Sequence, residues 1–203
     1  MKHFTLPKEG GLIEKGIPAD ILHGFERIRN EIYDQSSTAS DKIADIIVNS
    51  INACQNRNFR LGLTTGSTPA SLYTRLKRAY DEGRVSFRNV EVYSIDEYYP
   101  YGKDEPQSRN MRLRSALLDG IDIPEENIHI PDGSVPQERI SEYCAEYDKA
   151  FRGLDLLVIG MGEQGQIGFN EAGTSLKSRT RTVLLSYQSR KRQGKFFNGD
   201  FKH

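Results

Sequence analysis

Apolar and polar positions along this chain switch repeatedly between a helical and a strand period. Behind the polar start Ser36-Ser37-Thr38, the residues Ile43, Ile46, Ile47, Ile51 and Cys54 recur at helical spacing and predict a helix over 37–55. FRLGLTT, 59–65, is a short apolar run of strand type. A helix is predicted over 69–82, with Pro69 in its first turn, where a missing N–H costs little. VEVYSID, 90–96, predicts a second strand, and 108–119 a further helix. IDIPEENIHIPDG, 121–133, has the turn residues of an extended connection. Another helix is predicted over 136–151. The nearly continuous apolar run LDLLVIGMG, 154–162, suits a strand buried on both faces, and RTVLL, 181–185, suits one more. The first 35 residues are irregular, broken by Gly10-Gly11, Gly16 and Pro18.

Strand–helix alternation of this kind implies an α/β domain: a parallel sheet with helices on both faces. In such sheets ligands bind beyond the carboxyl ends of the strands. Three predicted strands end in polar loops that could converge there. In the first, Thr64-Thr65-Gly66-Ser67-Thr68-Pro69, hydroxyls and a glycine meet a helix N-terminus, an arrangement that favours phosphate. The same residues also suit a plain helix cap. They are not a Walker loop, because no GK[ST] follows. In the second loop Asp96 and Glu97 offer adjacent carboxylates for acid/base work; alternatively Asp96 caps a turn and Glu97 is solvated. The third, 160–173, has four glycines between 160 and 168, which let a ligand approach the backbone. Its spacing is not that of the dinucleotide fingerprint.

Composition narrows the function classes. The 203 residues suit a single domain, 1–203, and 36% hydrophobic residues can form one core. The 28 basic and 28 acidic residues balance to a net charge of +0, so no overall field draws the chain to nucleic acid or to an anionic membrane. The local cluster Arg190-Lys191-Arg192 is expected to be a solvated surface. No stretch approaches the roughly 20 apolar residues of a membrane span, and the N-terminus has no secretory apolar core. The two cysteines, Cys54 and Cys144, are expected as buried free thiols in a reducing cytoplasm. The four histidines are scattered, and no metal site is expected.

LGLTTGSTP (61–69), YSIDEYY (93–99), IGFNEAG (167–173) and SLKSRTR (175–181) resemble, in order and spacing, the glucosamine-6-phosphate deaminase/isomerase family. The similarity runs from about residue 40 to the C-terminus. Related 6-phosphogluconolactonases share the first and the glycine-rich loop, but not the FNE segment. The resemblance implies a Rossmann-like sheet of the sugar-phosphate isomerase type, with the family's last strands absent from this chain and an apolar sheet edge exposed in consequence. It implies a cytoplasmic enzyme of amino-sugar and N-acetylglucosamine catabolism. That enzyme converts glucosamine 6-phosphate to fructose 6-phosphate and ammonia, with no cofactor and no metal. Homo-oligomers are the family's habit and are expected here in that sense.

By motif position Asp96 is implied as the base that moves the C1/C2 proton and Glu171 as part of the ring-opening relay. Thr65, Gly66, Ser67 and Thr68 are implied to hold the sugar phosphate, with Lys195 where the family has an arginine. Lysine keeps the charge and loses the bidentate fork. Thr174 and Arg181 fit the family's allosteric phosphate site, although Val183 replaces an expected lysine. The chain also departs from the family at Gln164-Gly165-Gln166, where the pattern is Asp-Gly-His. The histidine is the family's ring-opening acid/base. A glutamine hydrogen-bonds but exchanges no proton near neutral pH. A catalytically impaired sugar-phosphate-binding or regulatory homologue is therefore the alternative to the enzyme.

Overall fold

The computed structural model of the protein describes residues 31–197. Most of the irregular segment expected over the first 35 residues lies outside them. Helix α1 runs Ser36–Ala53, strand β1 Phe59–Leu63, α2 Ala70–Asp81 and β2 Val90–Ser94. Helix α3 follows at Arg109–Ala116, then β3 Ile128–His129, α4 Ile140–Ala150, β4 Leu156–Leu157 and α5 Tyr187–Gln193. Short 3-10 turns flank several of them, at Leu118–Gly120, Glu125–Asn127, Gln137–Arg139 and Gly194–Phe196.

The four strands form one parallel sheet in the order β3-β2-β1-β4. The chain steps from β1 to β2 to β3 in one direction, then crosses back to the other side of β1. Because parallel crossovers are right-handed, this reversal puts α4 on the opposite face from α2 and α3. Along β1 and β2, alternate residues serve the two faces. Phe59, Leu61, Leu63, Val90 and Val92 join the core with Ala44, Ile47, Val48 and Ile51 of α1, Leu72, Leu76 and Ala79 of α2, and Leu113 of α3. On the other face Tyr93 stacks on His129 and meets the Phe151 ring edge-on. Tyr147 of α4 donates from its hydroxyl to the carbonyls of His129 (3.1 Å) and Ser94 (3.4 Å). On this face Leu157 and Leu154 close over Gly62, where a Cβ would lie 2.5 Å from Leu157 Cδ1. This second face is thin: α4 has no fully buried residue.

Five expectations are corrected. The inward stripe of α1 is not the isoleucine series: Ile43 and Ile46 are exposed, and Ala44 and Val48 take part in the core with Ile47 and Ile51. The apolar run 154–162 joins the sheet only at Leu156–Leu157, with Met161 in an isolated bridge to Ile167, and Leu157 and Ile159 are exposed rather than covered on both sides, because β4 ends the sheet. RTVLL, 181–185, forms no strand, which leaves β4 at the edge of the sheet among the described residues. Conversely, the connection at 121–133 contains β3, held by its register with Val92 and Tyr93. The thiols of Cys54 and Cys144 are free, and each residue is half-buried rather than buried. No described helix is long and apolar enough to cross a membrane.

Asp155 ties β4 to β1. Arg57 donates to its two carboxylate oxygens at 2.5 and 2.6 Å, and the Arg60 N–H donates at 2.8 Å. These bonds, the Arg57 guanidinium foremost, hold the carboxyl down at about 2. A depressed carboxyl contributes stability that is complete above its ordinary value and is lost as the pH falls toward the folded one. Asp155→Asn is expected to cost about 1 kcal/mol at neutral pH, roughly 2–4 °C in Tm for a chain of this size. Thermal melts should show that difference closing as the pH is stepped from about 4 toward 2.

Candidate active site

The strand order reverses between β1 and β4, and in such sheets ligands bind outside the carboxyl ends of the strands at that reversal. Residues 64–69 leave β1 there. Thr64 and Thr65 are buried, whereas Gly66, Ser67 and Thr68 are exposed. Tyr73 of α2 anchors the loop by donating to the Thr64 carbonyl. No side chain caps the N-terminus of α2, whose cap position is Pro69. The plain-cap alternative for these hydroxyls is thereby removed, and the first-turn N–H groups face the loop without a side-chain acceptor.

Asp96 follows β2 and is buried, with its side chain 4% exposed. Its neighbour Glu97 is neither solvated nor beside it as a second base. The Glu97 carboxylate turns to the N-terminus of α3 and accepts from the N–H groups of Tyr98 (2.7 Å), Arg109 (2.7 Å) and Asn110 (2.9 Å) and from the Ser108 hydroxyl (2.8 Å). It neutralises the unpaired donors and positive end of that helix. So held, α3 directs Arg109 into the interior. Nη1 of Arg109 donates to Thr65 Oγ1 at 2.6 Å and to the Thr65 carbonyl at 3.2 Å, and Nη2 to the Tyr98 hydroxyl at 3.4 Å. Its Nε lies 3.7 Å from Asp96 Oδ1, a Coulombic contact beyond hydrogen-bond length. The guanidinium also sits over the rings of Tyr98 and Phe169, at 4.9 and 5.0 Å. Burial pushes the Asp96 carboxyl above its usual range; Arg109 opposes this and Glu97 adds to it. Burial likewise raises the Tyr98 hydroxyl, to about 12.

The third loop reaches this centre through Gly168 and Phe169. Gly168 has φ +57°, and a Cβ on it would lie 3.2 Å from Asp96 Oδ2, so both backbone and space call for glycine. Phe169 packs on Tyr98 with ring centroids 4.8 Å apart. The remaining candidates in the loop engage α5 instead. Glu171 accepts from the N–H and hydroxyl of Ser186 and from the Ser189 hydroxyl. Those bonds, led by Ser189, hold its carboxyl below the usual range. Gln166 accepts from the Gln164 N–H at 3.0 Å, and the Gln164 amide donates to Gln188. Thr174 and Arg181 do meet, at 3.4 Å, on a groove of about 460 Å³ that Val183 and Leu184 also line. Lys195 lies in the turn Gly194–Phe196, and its side chain is outside the described part. Among the described residues no cluster of acidic, histidine or cysteine side chains could hold a metal ion.

Residues 34–194 match the model of the family described as glucosamine-6-phosphate isomerases/6-phosphogluconolactonase. The chain belongs to that family. It is 38% identical over 176 residues to a glucosamine-6-phosphate isomerase of Candida albicans, covering 85% of this chain and 70% of the relative. It is 40% identical over 163 residues to a glucosamine-6-phosphate deaminase of Yersinia enterocolitica, covering 77% of this chain and 60% of the relative. It also matches 28% of a much longer Bacteroides thetaiotaomicron protein described as glucosamine-6-phosphate deaminase-like, at 36% identity over 91% of this chain. The chain thus spans well under a third of one of these relatives and between three-fifths and seven-tenths of the other two. A solved monomeric glucosamine-6-phosphate deaminase superposes with a TM-score of 0.77 at 30% identity, covering 82% of this chain and 69% of that one. A 6-phosphogluconolactonase of Thermotoga maritima, at 22% identity and a TM-score of 0.55, shares the fold alone.

Motif reading did not single out Arg109. One arginine in the run Arg109-Asn110-Met111-Arg112-Leu113-Arg114 carries no mark of burial. The available signal was Ser108, a cap residue fixing where the helix starts and so which side chain follows it inward. Glu97→Gln tests the geometry. An amide presents one acceptor oxygen and one NH2 to donors that need two acceptors, so a loss of about 1–3 kcal/mol is expected. Denaturant unfolding at neutral pH measures it, and a loss of only a few tenths would show that Ser108 caps α3 sufficiently alone.

Proposed function

We propose that this protein is an aldose–ketose isomerase with deaminase activity on glucosamine 6-phosphate, giving fructose 6-phosphate and ammonia in amino-sugar catabolism. The observation that carries the reading is the buried Asp96 carboxylate. It stands just past the carboxyl end of β2, beside Arg109 and against Gly168 of the glycine-rich third loop. The phosphate is taken by Gly66, Ser67 and Thr68, the Thr65 backbone and the first-turn N–H groups of α2, with Lys195 as a further cation. In the open-chain aldehyde, Asp96 removes the C2 proton and returns it to C1. The product is an imine at C2, and water adds to it to release ammonia. A carboxylate raised above its ordinary pKa by burial is a stronger base for the first transfer, as long as it stays ionised at the working pH.

Ring opening separates the two forms of this proposal. Neither Gln164 nor Gln166 exchanges a proton, and Glu171 is engaged by Ser186 and Ser189. That engagement favours a second reading, in which the protein binds the sugar phosphate and turns it over poorly or not at all. On the first reading the chain acts on the open-chain form, and Gln166→His raises turnover by about 10²–10⁴-fold by restoring a general acid/base.

The test is to follow ammonia and fructose 6-phosphate from glucosamine 6-phosphate. Turnover by the native chain, lost about 10²–10⁴-fold in Asp96→Asn with the fold retained, supports the enzyme. Calorimetric binding without turnover supports the second reading. Turnover unaffected by Asp96→Asn refutes the role given to Asp96, and the absence of both turnover and binding refutes both readings.

A further inference from the structure

We propose that Arg109 is a positioning residue for proton transfer: one buried guanidinium holds the Asp96 carboxylate and the Thr65 end of the phosphate-facing loop in a single register. The inference rests on the reading of Asp96 as the base. It goes beyond that reading by giving the base and the phosphate loop a common mechanical and electrostatic support.

The geometry is specific to arginine. Three of its nitrogens face three different partners, Thr65, Tyr98 and Asp96, and the planar faces lie against Tyr98 and Phe169. A lysine ammonium is a point charge and cannot serve these directions together. Arg109 is 6% exposed, and Nε has no hydrogen-bond acceptor among the described residues; nor does Asp96 Oδ1 have a donor. Two buried opposite charges left 3.7 Å apart, rather than closed into a bidentate pair, suit a carboxylate that must take up and release a proton. A closed fork would hold it ionised and make it a weaker base.

The groups around Asp96 come from four elements. Its own loop contributes Glu97, whose charge raises the Asp96 carboxyl, and Tyr98. Helix α3 contributes Arg109, which lowers it. Helix α2 contributes Tyr73, itself raised by burial and by the Asp96 charge. The third loop presents Gly168 and Phe169, neither of which titrates. Arg109 is therefore the cation that offsets burial at the base.

The experiment is a carbon-detected NMR titration of the Asp96 carboxyl in the 203-residue protein, in Arg109→Met and in Arg109→Lys, beside the pH profile of kcat/KM for glucosamine 6-phosphate. Loss of the cation in Arg109→Met is expected to raise the Asp96 midpoint by a further one to three units, roughly what an adjacent arginine is worth to a carboxylate. The acid limb of kcat/KM should move with it. Arg109→Lys should recover most of the midpoint and leave KM raised, because the fork onto Thr65 is missing. If Arg109→Met does not fold, Arg109→Gln makes the same comparison with a neutral side chain that keeps a polar end. An Asp96 midpoint and pH profile that stay in place while only the melting temperature falls would overturn the proposal and reduce Arg109 to a packing residue. A native chain that neither binds nor turns over glucosamine 6-phosphate would instead overturn the functional reading. The carboxyl titration would still show whether Arg109 sets the charge of Asp96.

Discussion

A single carboxylate, saturated by a helix N-terminus, organises the centre of this protein. Glu97 spends both oxygens on the N-terminus of α3, and in doing so fixes the rotation and depth of that helix. Arg109, the first residue of the helix, inherits the position. Remove the cap and the guanidinium has no reason to lie between Tyr98 and Phe169 or to bond Thr65. Adjacent acidic residues thus divide the labour by direction: Glu97 points along a helix axis and is saturated, whereas Asp96 lies buried beside Arg109 with one oxygen unpaired among the described residues.

The sheet explains why the candidate site lies where it does. Order β3-β2-β1-β4 makes β1 the hinge of the topology, with α1, α2 and α3 sharing one well-filled face and α4 alone on the other. Parallel strands need both faces covered, and here the coverage is unequal. The filled side gives the first two loops a rigid base. The thin side carries the third loop, which touches the centre only through Gly168 and Phe169.

How much of this was legible in the sequence follows the same division. Strands β1 and β2 and helix α2 emerge near their true bounds because local periodicity and burial agree there, and the loop motifs lead to the family that the match over 34–194 shows. What local pattern could not supply is pairing. Two-residue β3 is a strand only through its register on β2, and 181–185 has strand composition yet forms no strand. In α1 both candidate stripes are apolar, and only the position of its neighbours decides between Ile43 and Ala44. Within the candidate site, Asp96 and the first loop stand out in the sequence at strand ends, whereas Arg109 does not, since depth and partners rather than residue type set it apart.

The connection from β1 to β4 has a consequence in time. The bonds that seat β4, such as Arg60 N–H to Asp155, join residues 95 apart, several times the separation that β1 and β2 must close. Distant pairings form late and at greater entropic cost, and units with few buried contacts reopen first. The helix-backed β1–α2–β2 unit can assemble early, with β4 and its loop docking afterwards. In the folded protein, amide protons of β4 and of residues 160–173 should then exchange with solvent through partial openings that leave the core of α1 and α2 closed. Asp96 and the third loop belong to different cooperative units.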